Sequence, residues 1–304
     1  MSLTVQNFGW LEDVAKENFR LFSDTIPRYT DFKGTSSTYG PRRMLHEYVR
    51  QLLGKDFVHY AQQIGDCTSF GARHTTLFTY AAEIIAKGES ERFQDVFPPY
   101  TYGAGRVLIG NRPWFDGSTG DWTRQAMEKN GVLFTDVDNV PPYSGSIARQ
   151  WGRSGPPDNF VSIATPHHFN STSLISSAEQ VAQSIWEGYA VNVCSNYGFE
   201  MQARNGLFNR ARGTWAHSMC IYGYEVHPQY GLYFLVKNSW DASAHGILKD
   251  FQTGEDLPVC TLRVLADIID AMVRQNDSYN YSSLAGYPDN SSALNKADFR
   301  VLGS

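Results

Sequence analysis

Apolar residues return at three- and four-residue steps just after Cys67: Phe70, Leu77, Phe78, Ala81, Ile84 and Ile85 keep helical spacing. A Gly-Asp turn precedes them and Lys87-Gly88 follows, so the pattern predicts a helix over 67–87 with Cys67 in its first turn. A second helix is predicted over 119–130, closed by Asn130-Gly131. Residues 1–60 read as mostly helical and polar, broken by DFKGTSSTYGPRR at 31–43. The stretch 134–177, rich in Pro, Gly, Ser and Asn, reads as long surface loops. A short helix, SAEQVAQSIWEG at 177–188, then leads into strand-like runs at 190–196, 216–226 and 230–240. Helices first and strands afterwards predict an α+β fold, with an antiparallel sheet because the connections are short.

A last amphipathic helix is predicted over 260–275. Leu262, Leu265, Ile268, Ile269, Met272 and Val273 form one stripe, and Arg263, Asp267, Asp270 and Arg274 take the other side. Such a short helix is marginal alone in water, so the stripe needs a cover: the protein's own surface, or an assembly partner.

The chain has 304 residues, of which 42% are hydrophobic and 19% charged, enough apolar material for a sizeable core. A formal charge of −5 leaves no broad basic surface, so nucleic acid is not an expected partner. No basic start followed by an apolar run opens the sequence, and no run of 18 apolar residues occurs. The expectation is a cytoplasmic protein without a membrane span. Four cysteines, at 67, 194, 220 and 260, lie far apart with no CxxC pair, so neither a disulfide framework nor a zinc site is expected.

That leaves each cysteine as a core residue or a nucleophile. A thiol becomes reactive as a thiolate, which a helix N-terminus and a neighbouring imidazolium both favour. Cys67 has the first feature. Of the eight histidines, His46, His59 and His74 lie on helical stretches. His167-His168 sits in the polar loop region, where two adjacent histidines rarely face one metal, His227 in a hairpin turn, and His245 after a Ser-Ala loop. His217 differs, because it opens the apolar run SMCIYGY at a strand edge that can face a cleft. Asn238 ends another strand and is followed by Ser239 and Trp240. An Asn can accept the imidazole N–H and fix its tautomer, and an indole can shield that bond from water. Cys, His and Asn thus follow one another in chain order, separated by 150 and 21 residues.

With these residues in place, the chain resembles the papain-like cysteine peptidases. CTSFG resembles the family's Cys-Trp-Ala-Phe-Ala helix start, with Phe70 kept three places after the cysteine. AHSMCIYGYE resembles the His-Ala-Val-x-x-x-Gly-Tyr strand, and LVKNSW resembles Ile-Lys-Asn-Ser-Trp. SAEQVAQSIWEGYAVNVCSNYGFEMQARNGLF resembles the helix, Pro-Val strand and Phe-x-x-Tyr-x-x-Gly-Ile segment that come before the histidine. The matches span about 62–250. In build the chain also resembles proteins of bacteriophage and environmental bacterial genomes.

The resemblance implies a helical half carrying Cys67, packed against an antiparallel sheet half carrying His217 and Asn238. The expected organisation is an N-terminal extension at 1–55, a papain-like domain at 56–250 divided near 135, and a C-terminal extension at 251–304. It implies thiol-dependent hydrolysis of peptide or isopeptide bonds without metal or organic cofactor. Cys67 would attack, His217 exchange the proton, and Asn238 orient the ring. The backbone N–H of Cys67 would bind the oxyanion with Gln62, or with Gln63. The family's oxyanion glutamine lies six residues before the nucleophile, and here that position is Ala61. Gly117-Ser118 match the paired glycines that hydrogen-bond substrate, and Trp240 stands at the cleft wall. The glycine-rich run that follows Asn-Ser-Trp in the family is DASAHG here, so the wall beyond Trp240 departs from it. A register with Cys67 on the family's earlier structural cysteine loses the Phe70 match. Two other readings use the same residues: a papain-fold structural component such as a phage virion protein, and transglutaminase-like acyl transfer.

Overall fold

The computed structural model describes residues 8–31, 38–88, 92–112 and 114–285. Much of the break at 31–43 and the polar tail after 285 lie outside the described residues. Helices α1 (Glu12–Phe22) and α2 (Leu45–Leu53) flank a short strand β1 (Arg42–Met44). The long helix α3 (Cys67–Lys87) begins at the predicted cysteine and stops where Gly88 turns left-handed, φ 72°. Then come α4 (Pro98–Gly103), running on as a π-helical turn at Ala104–Ile109, and α5 (Gly120–Lys129). Helices α6 (Gly145–Ser154) and α7 (Asp158–Ala164) lead to β2 (Phe169–Leu174) and α8 (Ala178–Trp186). The sheet continues with β3 (Val191–Phe199), β4 (Ala211–His227), β5 (Gly231–Lys237) and β6 (Thr261–Leu265); α9 (Ala266–Val273) and β7 (Tyr279–Leu284) follow.

Every pairing among these strands is antiparallel, in the order β2-β7-β3-β4-β5-β6, with β1 added along β4. Helix α3 is buried over most of its length because the sheet covers one side and other helices cover the rest. Phe78 stacks on Tyr222 of β4 at 4.5 Å within a core that includes Leu77, Val193, Ile221, Phe234, Val236 and Met272. The close approach of α3 to the sheet depends on Gly71. A Cβ there would come within 2.3 Å of Asn192 Oδ1 and 2.6 Å of Ser218 Oγ.

Three expectations need correction. The stretch 134–177 is not mainly loop: it holds α6, α7 and β2. Its turn-rich composition supplies helix ends instead, since Ser144 caps α6 through Ile147 N and Gly155 ends it. Trp151 and Phe160 provide the apolar anchors. The helix predicted over 260–275 is a strand followed by a helix. Residues 261–265 complete a ladder on β5, from Lys237↔Thr261 to Tyr233↔Leu265, and that pairing overrides the helical period. Arg263, placed on the polar side of a helix, is fully buried and donates to the carbonyls of Gly206 and Leu207. Leu262, Ile269, Met272 and Val273 join the protein's own core, so the stripe is covered from within. The terminal extensions are also part of the fold: β1 pairs with β4, and β7 lies inside the sheet between β2 and β3.

Candidate active site

Cys67 is the first residue of α3, and Asp66 before it has non-helical backbone angles. The sheet presents β4 opposite, where His217 pairs with Ser195 and Ser218 with Cys194. His217 and Asn238 are completely buried, and a connected chain of hydrogen bonds fixes their protons. Nδ1 of His245 donates to Met201 O at 3.0 Å, so its Nε2 accepts from Asn238 Nδ2 at 2.9 Å. Asn238 Oδ1 then faces His217 Nε2 at 2.8 Å and must accept from it. The remaining nitrogen, His217 Nδ1, carries the lone pair and has no hydrogen-bond partner among the described residues. Trp240 lies over this pair, 5.0 Å from the His217 ring. No hydrogen bond joins His217 to the Cys67 thiol among the described contacts.

Residues 8–11 form a strap across the site. Gly9 N and Trp10 N both donate to Ala216 O, at 3.1 and 3.0 Å. Leu11 N donates to Ser118 O at 2.9 Å, and Ser118 N to Gly9 O at 2.8 Å. Phe8 sets its ring edge-on to His217 and Trp240, at 6.1 and 6.0 Å. The strap crosses so close to the loop before Cys67 that a Cβ on Gly9 would lie 2.0 Å from Gly65 O. Beneath it, Cys67 packs with Trp10, Ala15 and Cys194 and is sealed from solvent.

That seal sets the protonation states. A helix N-terminus is worth about 0.3–1 kcal/mol to an anion, less than one pKa unit, whereas full burial shifts a group by several. Burial therefore wins and pushes the Cys67 thiol up to about 12, against backbone contacts from Ser218, Gly9 and Thr68 that act in the opposite direction. Burial likewise lowers His217 to about 4 although Asn238 favours its charged form. The covered site rests with Cys67 a neutral thiol and His217 a neutral imidazole. Asp66, buried and accepting from Tyr143 Oη at 3.1 Å, is pushed up to about 7.

The other expected site residues divide. Ser118 offers both backbone groups to the strap. Gly117 does not: its N–H donates to Tyr102 Oη at 2.9 Å, and its carbonyl accepts from Arg106. Gln62 is buried with its amide donating to Ile64 O at 3.0 Å and its carbonyl accepting from Ser239 Oγ. Gln63 is exposed, and its carbonyl accepts from Gly145 N at 2.8 Å. Trp240 is buried under Phe8 and beside Trp215, so it covers the His–Asn pair and is not an open wall. Sequence reasoning missed His245, whose place behind Asn238 leaves no local mark. It also missed the strap, since FGWLED reads as the start of a polar helical region. Among the described residues no group of three or more His, Cys, Asp or Glu side chains is arranged to hold a metal.

No protein-family model and no curated protein matches the sequence. Solved structures do. Xylellain, a cysteine protease from Xylella fastidiosa, superposes with a TM-score of 0.59 at 16% identity, over 93% of this chain and 99% of its own. Procathepsin B S9 from Trypanosoma congolense gives 0.57 at 10% identity, over 92% and 87%. The bromelain protease from Ananas comosus gives 0.50 at 13%, over 80% and 99%. At such identities the likeness establishes the fold alone. Together with the α3–sheet arrangement, it shows that this chain has the papain-like cysteine protease fold.

Proposed function

We propose that the protein is a latent cysteine peptidase that hydrolyses peptide bonds, with Cys67 as nucleophile, His217 as acid and base, and Asn238 as the residue that positions His217. The observation that carries this reading is the His217–Asn238 hydrogen bond under Trp240, which leaves Nδ1 as the free base on the strand facing the start of α3. With the strap displaced and water admitted, the desolvation that keeps both groups neutral is relieved. The thiol proton then passes to His217 Nδ1 and the sulfur attacks the substrate carbonyl carbon. The C–N bond breaks as the imidazolium returns its proton to the leaving amine. Water, deprotonated by His217, hydrolyses the thioester and frees Cys67. The Cys67 backbone N–H serves the oxyanion, joined by Gln62 once its bond to Ile64 O is exchanged.

A second reading, a papain-fold structural protein without turnover, draws on two observations: the sealed Cys67 and the engaged Gln62. Labelling separates the two. A peptide carrying a thiol-directed epoxide is incubated with the protein, and Cys67 is examined by mass spectrometry. The peptidase reading expects an adduct on Cys67 that His217→Ala suppresses. Labelling that is indifferent to His217 supports the structural reading.

A further inference from the structure

Lys237 ends β5 and pairs with Cys220 of β4 on one side and Thr261 of β6 on the other. It is 1% exposed, and its ammonium donates to His59 Nδ1 at 2.9 Å and to the carbonyl of Val259. Both acceptors are uncharged. Of the charged side chains that act on it, Asp56 and Arg73 are already matched. Asp56 accepts from Arg50 Nε and Nη2 at 2.7 and 3.0 Å, and Arg73 donates to both oxygens of Asp95 at 2.7 Å. Among the described residues, then, the buried charge of Lys237 has no carboxylate of its own, a costly arrangement. Burial accordingly draws the group down to about 8. Lys237 also lines a cavity of about 10 Å³, the space of one water molecule or one small ion. Phe57, Phe78 and Pro258 give it apolar walls, and exposed Val259 with half-buried Asp56 marks its mouth. His59 lines the same cavity and connects it to the cleft. The Trp240 carbonyl can only accept, so His59 Nε2 donates to it at 2.7 Å and Nδ1 accepts from Lys237.

We propose that this cavity binds one small monovalent anion, chloride foremost, against the Lys237 ammonium, and that its occupancy steadies the Trp240 backbone through His59. The site is independent of the peptidase reading. An ammonium has three N–H groups, and two are engaged within the protein, which leaves one for the anion. Apolar walls around a single charged donor suit a weakly hydrated halide. Polyatomic oxyanions such as sulfate are too large for a space of this volume. Asp56 at the mouth is no strong obstacle, because Arg50 grips both of its oxygens. With a halide beside it, the lysine keeps its proton and can only donate to His59. Without one, burial favours the neutral amine, which can accept from Nδ1–H and leave Nε2 with no proton for the Trp240 carbonyl.

The test melts the full chain while sodium gluconate is replaced by sodium chloride or sodium bromide at constant ionic strength. At roughly tenfold excess over the dissociation constant, the midpoint is expected to stand about 2–4 °C higher and to level off. Lys237→Met is expected to abolish this response. Should that variant fail to fold, crystals of the unaltered protein soaked in bromide still decide, with an anomalous peak expected beside Lys237 Nζ. In the same chloride titration, the imidazole nitrogen signals of His59 are expected to move toward the tautomer protonated at Nε2. A midpoint indifferent to halide, or an equal rise in Lys237→Met, overturns the site. So does a bromide-soaked crystal without a peak at Lys237. Halide binding with unchanged His59 signals overturns the link to Trp240.

Discussion

On the sheet wall of the cleft, His217 is held by a chain of side-chain hydrogen bonds running through Asn238 and His245 to the backbone of Met201. On the helix wall, Cys67 stands at the open end of α3 under a cover contributed by residues 8–11. The first arrangement is built into the fold and does not depend on the strap. The second changes character when the strap leaves, because Trp10 of the cover packs on the thiol and its departure admits water. The comparison teaches that orientation and reactivity are governed separately here. Geometry on the sheet side is permanent, and ionisation on the helix side is conditional.

The largest expected effect removes the helix side altogether. Under the proposed peptidase function, Cys67→Ala is expected to lower kcat by at least about 10⁴-fold, since the loss of a nucleophile abolishes the covalent route. Peptide hydrolysis and thermal melting check this, with the melting temperature little changed because Ala fits the same buried space.

Asn238→Ala attacks the sheet side. The His217 and His245 nitrogens lose their common partner, so kcat is expected to fall about 10²-fold or more. Stability should also drop by about 1–3 kcal/mol from buried polar groups left unpaired. Kinetics and denaturant titration on the same preparation read both. A kcat loss without a stability loss would mean that water replaces the amide.

Gly9→Ala sharpens the contrast from the other direction. The added Cβ cannot coexist with Gly65 O, so the strap must shift, at a cost of about 1–3 kcal/mol. Iodoacetamide labelling of Cys67 is expected to accelerate on the order of tenfold, the factor that about 1.4 kcal/mol represents. Unchanged labelling would show that the strap does not control access.

A last expectation concerns pH-dependent stability. Burial lowers His46, His217 and His245 to about 4 and His59 to about 3, below the 6.5 of an unfolded chain. Groups depressed in this way contribute stability above pH 6.5 that is lost as pH falls toward 4. Asp66 and Asp277, raised to about 7, work in the opposite sense: their contribution is complete below pH 3.8 and is lost as pH rises toward 7. Burial holds His74 well below its ordinary value too, so five histidines outweigh two acids and each pH unit between 6.5 and 4.5 should cost the fold roughly 4 kcal/mol. Thermal melts across that range should show a falling midpoint, and a flat profile would contradict the burial of these rings.

The legible parts of the molecule were those whose signal is local. Helix α3 announced itself through its own apolar repeat and Gly88, and β4 and β5 through their β-branched and aromatic runs. The His217–Asn238 pair was readable because each residue ends or opens such a run. What stayed hidden depends on distant partners. Residues 261–265 carry a helical period, yet the free edge of β5 makes them a strand. The indole N–H of Trp10 goes to Asp277, 267 residues away. Gln62 satisfied a spacing argument, but its amide goes to Ile64 O and its carbonyl to Ser239, neither of which spacing encodes.

The position of β7 has a consequence for the order of assembly. This strand, at 279–284, lies between β2 and β3, so the central sheet retains a gap until those residues have been synthesised. Asp277, the anchor for Trp10, emerges only just before it. A nascent chain can form α3 and the β3–β4–β5 meander early, since those contacts are comparatively local, but it cannot seal Cys67. Closure must wait for contacts of high sequence separation, which form slowly. The first described residues of this protein are therefore among the last to reach their final places.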